Sequence, residues 1–253
     1  MKLHEMTWRE VDQLSRTTPV VFPVAALEQH GHHMPLFTDS LLLGEVVRRV
    51  EQQPVASNVL FAPLQWLGNS HHHLDMPGTV SASPRVYLDL LRDQAECLLH
   101  HGFQRILFLN GHGGNAVPAQ QALFELRQKY RQRNDLLLCS LTYWDAACPD
   151  LGAGGLQQPE MGHAGEWETS MMLALRPDLV QGEVASLPNI PFGQGAAPGY
   201  RGWTMPDRSL PGHIGVASAA SREKGDLLFA TFAKGVTTYL ERLVAWSGKA
   251  WDL

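Results

Sequence analysis

Apolar residues along the chain follow two rhythms. Short runs, "PVVFPVAAL" (19–27), "NVLFAPL" (58–64), "RILFLN" (105–110) and "DLLLCSLTY" (135–143), have the length and content of buried strands. Longer stretches between them have helical spacing. In "DSLLLGEVVRRV" (39–50), Leu42, Leu43, Val46, Val47 and Val50 share one face, and Asp39 or Ser40 begins it. Pro84 suits the first turn of a helix that runs to about His101 and stops at Gly102. Further helices are expected over 116–133, in the second half of "EMGHAGEWETSMMLAL" (160–175), and from about Ser221 to Ala245. Residues 181–215 are rich in Gly and Pro with little periodicity, as in a lid or substrate loop.

This alternation predicts an α/β layered fold with a mainly parallel sheet. Neither an internal repeat nor a linker divides the sequence, so one domain is expected over 1–253. A hydrophobic share of 44% with 18% charged residues is that of a globular protein. The net charge of −5, without a Lys or Arg block, argues against a nucleic-acid partner and against a polybasic membrane anchor. The charged start "MKLHEMTWREVDQL" is not a signal peptide, and no apolar run approaches the roughly 18 residues of a membrane span. Cys97, Cys139 and Cys148 are odd in number and lack C-x-x-C spacing, so neither a disulfide framework nor a thiolate zinc site is expected; a cytoplasmic location is.

The reactive residues cluster where the predicted strands end, which is where sites form in such folds. Glu28 and His30 close the first strand, a His-rich loop follows the second, His112 follows the third, and Tyr143 and Trp144 follow the fourth. Two apart on extended chain, Glu28 and His30 point to one side. Asp39, at the mouth of the next helix, is either a helix cap or a group folded back towards them. His32 and His33 are expected to be surface or supporting residues rather than ligands. In "NGHGGN" (110–115) the glycines permit a sharp turn around His112, but the spacing is neither that of a P-loop nor of a dinucleotide fingerprint. In "GHAGEWETS" (162–170), His163 precedes a helix whose first turn carries Glu166; Glu168 points elsewhere, about 200° around. A first-turn Glu is ordinary beside the helix dipole, but its pairing with His163 is not explained that way.

Taken together, "ALEQHGHHMPLFTDS", "HHHLDMPGTVS", "FLNGHGGN", "GHAGEWETSMML" and "ASAASREKG" resemble the creatininase family of metal-dependent amidohydrolases, in order from about residue 5 to about residue 225. The resemblance implies a three-layer α/β/α sandwich and two divalent ions per subunit, Zn, Mn or Fe. Glu28, Asp39 and His112 would hold one ion; His30, Asp39 and Glu166 would hold the other. Oxygen and imidazole donors without thiolates suit those metals. The implied reaction is hydrolysis of an amide, lactam or formamide C–N bond of a small molecule by water activated between the metals. Cleavage of a C–C bond in a keto-inositol-like ring, peptide hydrolysis and a non-catalytic metal-binding role are the alternatives. His163 is the expected leaving-group acid, with Glu168 orienting it. His73 and Trp144, with Trp203 beside them, are expected around the substrate, and His71 and His72 are expected to be incidental. A homo-oligomer, a hexamer by resemblance, is expected.

Two positions depart from the family pattern. Creatininase proper carries a ligand Glu two places after its counterpart of His112, where this chain has Gly114. Creatinine is therefore not the expected substrate. Many relatives read G-D-P where this chain reads Gly215-Val216-Ala217, so a polar group near the site or a subunit contact is missing.

Overall fold

The computed structural model describes residues 1–150, 152 and 155–253. Four strands, β1 (Val20–Val24), β2 (Leu60–Phe61), β3 (Arg105–Asn110) and β4 (Leu137–Thr142), form a sheet in the order β2-β1-β3-β4, every pair parallel. The helices are α1 (Trp8–Asp12), α2 (Thr38–Glu51), α3 (Pro84–His100), α4 (Ala116–Lys129), α5 (Glu166–Leu175), α6 (Met205–Arg208) and α7 (Arg222–Ala245).

Side-chain alternation along the strands builds the layers. Val20, Phe22 and Val24 of β1 join Ile106 and Phe108 of β3 against α3 and α4, where Leu91, Ala95, Ala119 and Leu126 are buried. Val21, Leu107 and Leu109 face the other way, towards Leu42, Leu43 and Val46 of α2, Met171 and Met172 of α5, and Phe229 and Phe232 of α7. The result is the α/β layered fold that the sequence pattern predicts, in the three-layer α/β/α form that the family resemblance implies. Each fully buried aliphatic side chain contributes about 1.5–3 kcal/mol of hydrophobic stabilisation.

The second strand is much shorter than 58–64. The reason lies in two prolines. Pairing with β1 runs through the carbonyls of Pro19, Val21 and Pro23, which accept from Leu60, Ala62 and Gln65 at 2.8–2.9 Å. Pro63 falls between those last two donors and lacks an N–H. Pro23, itself without an N–H, faces that interruption, so a proline is tolerated inside a central strand. α4 also ends earlier than 133, at Lys129.

Where β1, β2 and β3 end, a small amide network joins the three loops. Asn115 Nδ2 donates to the Ala25 carbonyl (3.0 Å), and its Oδ1 accepts from the Asn69 N–H (2.9 Å). Asn110, fully buried, grips His112 from both sides: its Nδ2 donates to the His112 carbonyl and its Oδ1 accepts the His112 N–H. On the far side, α5 and α7 cross closely because Gly225 has no side chain; a Cβ there would run into the Ser170 carbonyl. Among the described residues, no helix is long and apolar enough to cross a membrane.

Candidate metal centre

Glu28, His30, Asp39, His112 and Glu168 meet at the carboxyl edge of the sheet, all nearly inaccessible to solvent. The loop after β1 supplies the first two. His30 Nδ1–H donates to the Glu28 carbonyl (3.1 Å), which fixes the tautomer and leaves Nε2 facing Asp39 Oδ1 at 3.1 Å and Glu168 Oε1 at 3.7 Å. Asp39 lies inside the first turn of α2 and makes no cap, since the helix begins at Thr38 and its cap position, Phe37, has no side-chain bond. Asp39 is thus free to turn inward. His112 stands between two carboxylates, Nδ1 at 3.1 Å from Asp39 Oδ2 and Nε2 at 3.3 Å from Glu28 Oε2.

Among the described residues, three sets of donor atoms lie within 4.8 Å of one another: Glu28, His72 and His112; Glu28, His30 and His163; and His30, Asp39 and Glu168. Both oxygens of Glu28 and Oδ2 of Asp39 are buried without a hydrogen-bond partner. Three buried carboxylates crowded together are costly unless cations compensate them. Orphaned carboxylate oxygens aimed at imidazole nitrogens, with no thiolate in any set, fit divalent Zn, Mn or Fe.

The electrostatics agree with that reading. Burial opposes ionisation of Asp39, but His30 and His112 hold its carboxyl well below the usual range; Glu28, opposed by burial and aided chiefly by His112, also lies below it. His30 and His112 are pushed well above the ordinary histidine value: burial works against them, and Asp39 for the one and Glu28 for the other prevail. Glu168 is raised, mainly by burial. His163 lies well below, through burial and then the neighbouring His30 and His73.

Glu166 is not in the cluster, and this corrects the expectation that it binds metal. Its Oε1 accepts from Lys224 Nζ at 2.6 Å, and its Oε2 accepts the backbone N–H groups of Gln157 and Gln158 at 2.7 and 2.8 Å. Glu168 occupies the place foreseen for it, and Ala164 N–H donates to its Oε2. To aim that N–H, Ala164 adopts a φ of +48°, a left-handed conformation rare for a residue with a side chain. Glu168 therefore does not orient His163. The His163 Nε2–H donates to the Gln29 carbonyl (2.9 Å), and Nδ1 faces Glu28 Oε1 at 3.6 Å.

The remaining expectations divide. His73 and Trp144 line a cleft of about 1250 Å³ that opens over the cluster, and so do Trp203 and His72. His72, expected to be incidental, stacks near-parallel on His112 at 5.7 Å and meets Trp203 edge-on at 4.9 Å. His33 is buried behind the site against Thr169 (2.9 Å), and His32 is exposed. Gln29 escaped the sequence reading. Its Nε2 stands 2.7 Å from His73 Nδ1 and donates to the Gly212 carbonyl (2.9 Å), fixing the imidazole that faces Glu28. Its only signal was its place between two candidate ligands. At the departure 215–217, the Val216 N–H donates to Gln158 Oε1 (3.1 Å), the side chain that also receives the Glu166 N–H (2.8 Å).

The family model described as "Creatininase: Creatinine amidohydrolase" matches residues 4–240. A creatinine amidohydrolase of Pseudomonas putida is 33% identical, covering 92% of this chain and 93% of that protein. A mycofactocin precursor peptide peptidase of Mycolicibacterium smegmatis is 31% identical over 91% of this chain and 87% of its own. Among solved structures, a mutant creatininase of Zn–Zn type (30% identity, 97% of this chain and 98% of that one) superposes with a TM-score of 0.78. A structure described as "Creatininase Mn" gives 0.77 at 30% identity, covering 97% and 99%.

Proposed function

The chain belongs to the creatininase family, and from that membership we propose that it is a hydrolase that depends on two divalent ions and opens an amide-type C–N bond of a small molecule. The observation that carries the reading is the set of buried carboxylate oxygens without hydrogen-bond partners, Asp39 Oδ2 facing His112 and the two Glu28 oxygens facing His73, His112 and His163. Glu28, Asp39 and His112, with His72 beside them, would hold one ion, and His30, Asp39 and Glu168 the other. Bound there, the ions would polarise the substrate carbonyl and lower the pKa of water.

The protein's own groups supply the proton transfers. His163 keeps its Nε2 hydrogen on the Gln29 carbonyl, so Nδ1 carries the free lone pair. Held well below the ordinary value by burial, it is neutral at pH 7 and able to accept. Nδ1 takes the proton released as water adds to the carbonyl and returns it to the departing nitrogen. His73, fixed by Gln29, and Trp144 border the substrate. Creatinine is not proposed, because Gly114 stands where creatininase proper carries a ligand Glu. A longer amide, such as a peptide, is the second reading: about 1250 Å³ exceeds the roughly 300–1,000 Å³ that usually suffices for a compact ligand.

Metal analysis combined with a panel of lactams, formamides, short peptides and cyclic diketones tests this. Uptake of divalent ions, with turnover of an amide member that stops on chelation, is expected. A protein that takes up no ions, or that cleaves only the diketones, overturns it.

A further inference from the structure

The cleft carries a charge asymmetry that the metal centre does not explain. Beyond the proposed metal ligands Glu28, Asp39 and Glu168, whose charge the ions would offset, its lining carries the acidic side chains of Asp145 and Glu160. Arg208 is the one Lys or Arg side chain among the described residues that line it. Arg208 is also held in place. It ends α6, a short helix closed by reciprocal bonds between Thr204 and Asp207 and anchored by the fully buried Met205. Its Nη2 donates to the Phe192 carbonyl at 2.6 Å, and its guanidinium lies over the Trp203 ring at 4.9 Å. A guanidinium has five N–H donors, and no carboxylate lies within ion-pair distance of this one among the described residues. A path of ring contacts, His112 to His72 to Trp203, joins it to the metal centre.

We propose that Arg208 is a substrate anchor, and that the amide opened at this centre carries a carboxylate remote from the scissile bond. The inference rests on the hydrolase reading. A planar fork with free donors matches a carboxylate in bidentate fashion, and stacking on Trp203 keeps the fork oriented. Asp145 and Glu160 disfavour a carboxylate elsewhere in the lining, so the substrate is set with its anionic end on Arg208 and its carbonyl over the metal ligands.

The test uses the zinc-loaded full chain, with N-acetyl ω-amino acids of increasing chain length and the matching uncharged N-acetylalkylamines. Hydrolysis of each is followed, and binding of the free ω-amino acids is measured by calorimetry. The wild type is expected to favour the acids by roughly 10- to 100-fold in kcat/KM, with an optimum at an intermediate length. Arg208→Gln removes that preference, bringing kcat/KM on the acids to that on the matching uncharged amides. Arg208→Lys restores only part of it, because a point charge replaces the fork. Wild-type protein with no preference, or a preference that survives Arg208→Gln, overturns the anchor. Calorimetry separates the two readings: if no amide is turned over, the hydrolase reading fails, and binding of the ω-amino acids that is lost in Arg208→Gln still upholds the anchor.

Discussion

Glu166 and Lys224 meet at 2.6 Å, the first fully buried and the second partly so, and this pair accounts for the lysine of the "EKG" element of α7. Lys224 reaches from α7 to the first turn of α5 and also donates to the Ala219 carbonyl. The pair locks together the two helices whose junction places Glu168. Glu166→Gln is expected to retain both metal ions and to lose stability by about 3 kcal/mol, the low end for a broken buried pair because Lys224 keeps some exposure. Denaturant melts with metal analysis check this. Loss of an ion with stability intact would return Glu166 to the ligand set.

Asp39 and Glu168 behave differently under substitution. Asp39 lies between His30 and His112, so Asp39→Ala should remove both ions and all turnover while the fold persists. Glu168 faces His30 alone, so Glu168→Gln should leave the ion on Glu28 and His112 in place. Metal counts per chain, measured after dialysis, distinguish zero from one. Full activity of Asp39→Ala would refute its shared role.

The layers and most of the cluster were legible in the sequence for a physical reason. Buried strands and amphipathic helices are local patterns, and Glu28, His30 and His112 lie at strand ends that those patterns define. The choice between Glu166 and Glu168 was not local. Helical geometry separates their directions, but which side of α5 faces the sheet is set by its packing on α7 and by Lys224, 58 residues away. His72 was hidden among three consecutive histidines, a run without spacing to select one, until the short turn at His71–His73 laid it on His112. Gln29 was passed over because a neutral amide carries no charge signature; its work is done by hydrogen bonds made in the folded state.

Without metal, stability should peak near pH 6.5, and the sign differs on the two sides. His33 and His72 are pushed down to about 4 and His73 to about 3, each chiefly by burial, and His163 lies well below its ordinary value. Below the unfolded value of about 6.5 the unfolded chain binds protons that these groups refuse, so stability falls as pH drops. His30 and His112 are raised, so their contribution is full below about 6.5 and is lost as pH climbs through their folded values. Divalent ions, which need neutral imidazole, should abolish the alkaline loss. Thermal melts from pH 5 to 9, with chelator and with zinc, follow both limbs. An alkaline limb unchanged by zinc would contradict the assignment of these two histidines as ligands.

His163→Gln separates proton transfer from metal binding. The imidazole touches Glu28 through Nδ1 at 3.6 Å and is bonded to the Gln29 carbonyl through Nε2. If its work is to return a proton to the departing nitrogen, an anilide with a nitro-substituted leaving group should lose far less rate than an alkyl amide, for which roughly 10²–10⁴-fold is expected. Equal losses on both substrates, with metal content unchanged, would rule out protonation of the leaving nitrogen by His163 and leave it activation of water or substrate placement.

Gly114 shows why this chain cannot borrow the ligand of creatininase proper. A Cβ there would collide with the Asn69 carbonyl and with His112 Nε2, and would press on the His72 ring. The Asn69 carbonyl is fixed by its neighbours, since Asn69 N–H is bonded to Asn115 and Asn69 Nδ2 donates to the Gly114 carbonyl at 2.9 Å. The backbone cannot retreat without opening the network that ties the three loops, so the imidazoles must move. Gly114→Ala is therefore expected to cost about 1–3 kcal/mol and to lower occupancy of the ion on Glu28 and His112. Gly113→Ala is the control, because nothing lies within 4 Å of a Cβ at that position and the change should stay within about 0.5 kcal/mol. Melting curves and metal content for the two variants decide it: if Gly114→Ala matches Gly113→Ala in both, the loop is free to adjust, and a carboxylate at 114 would be sterically possible after all.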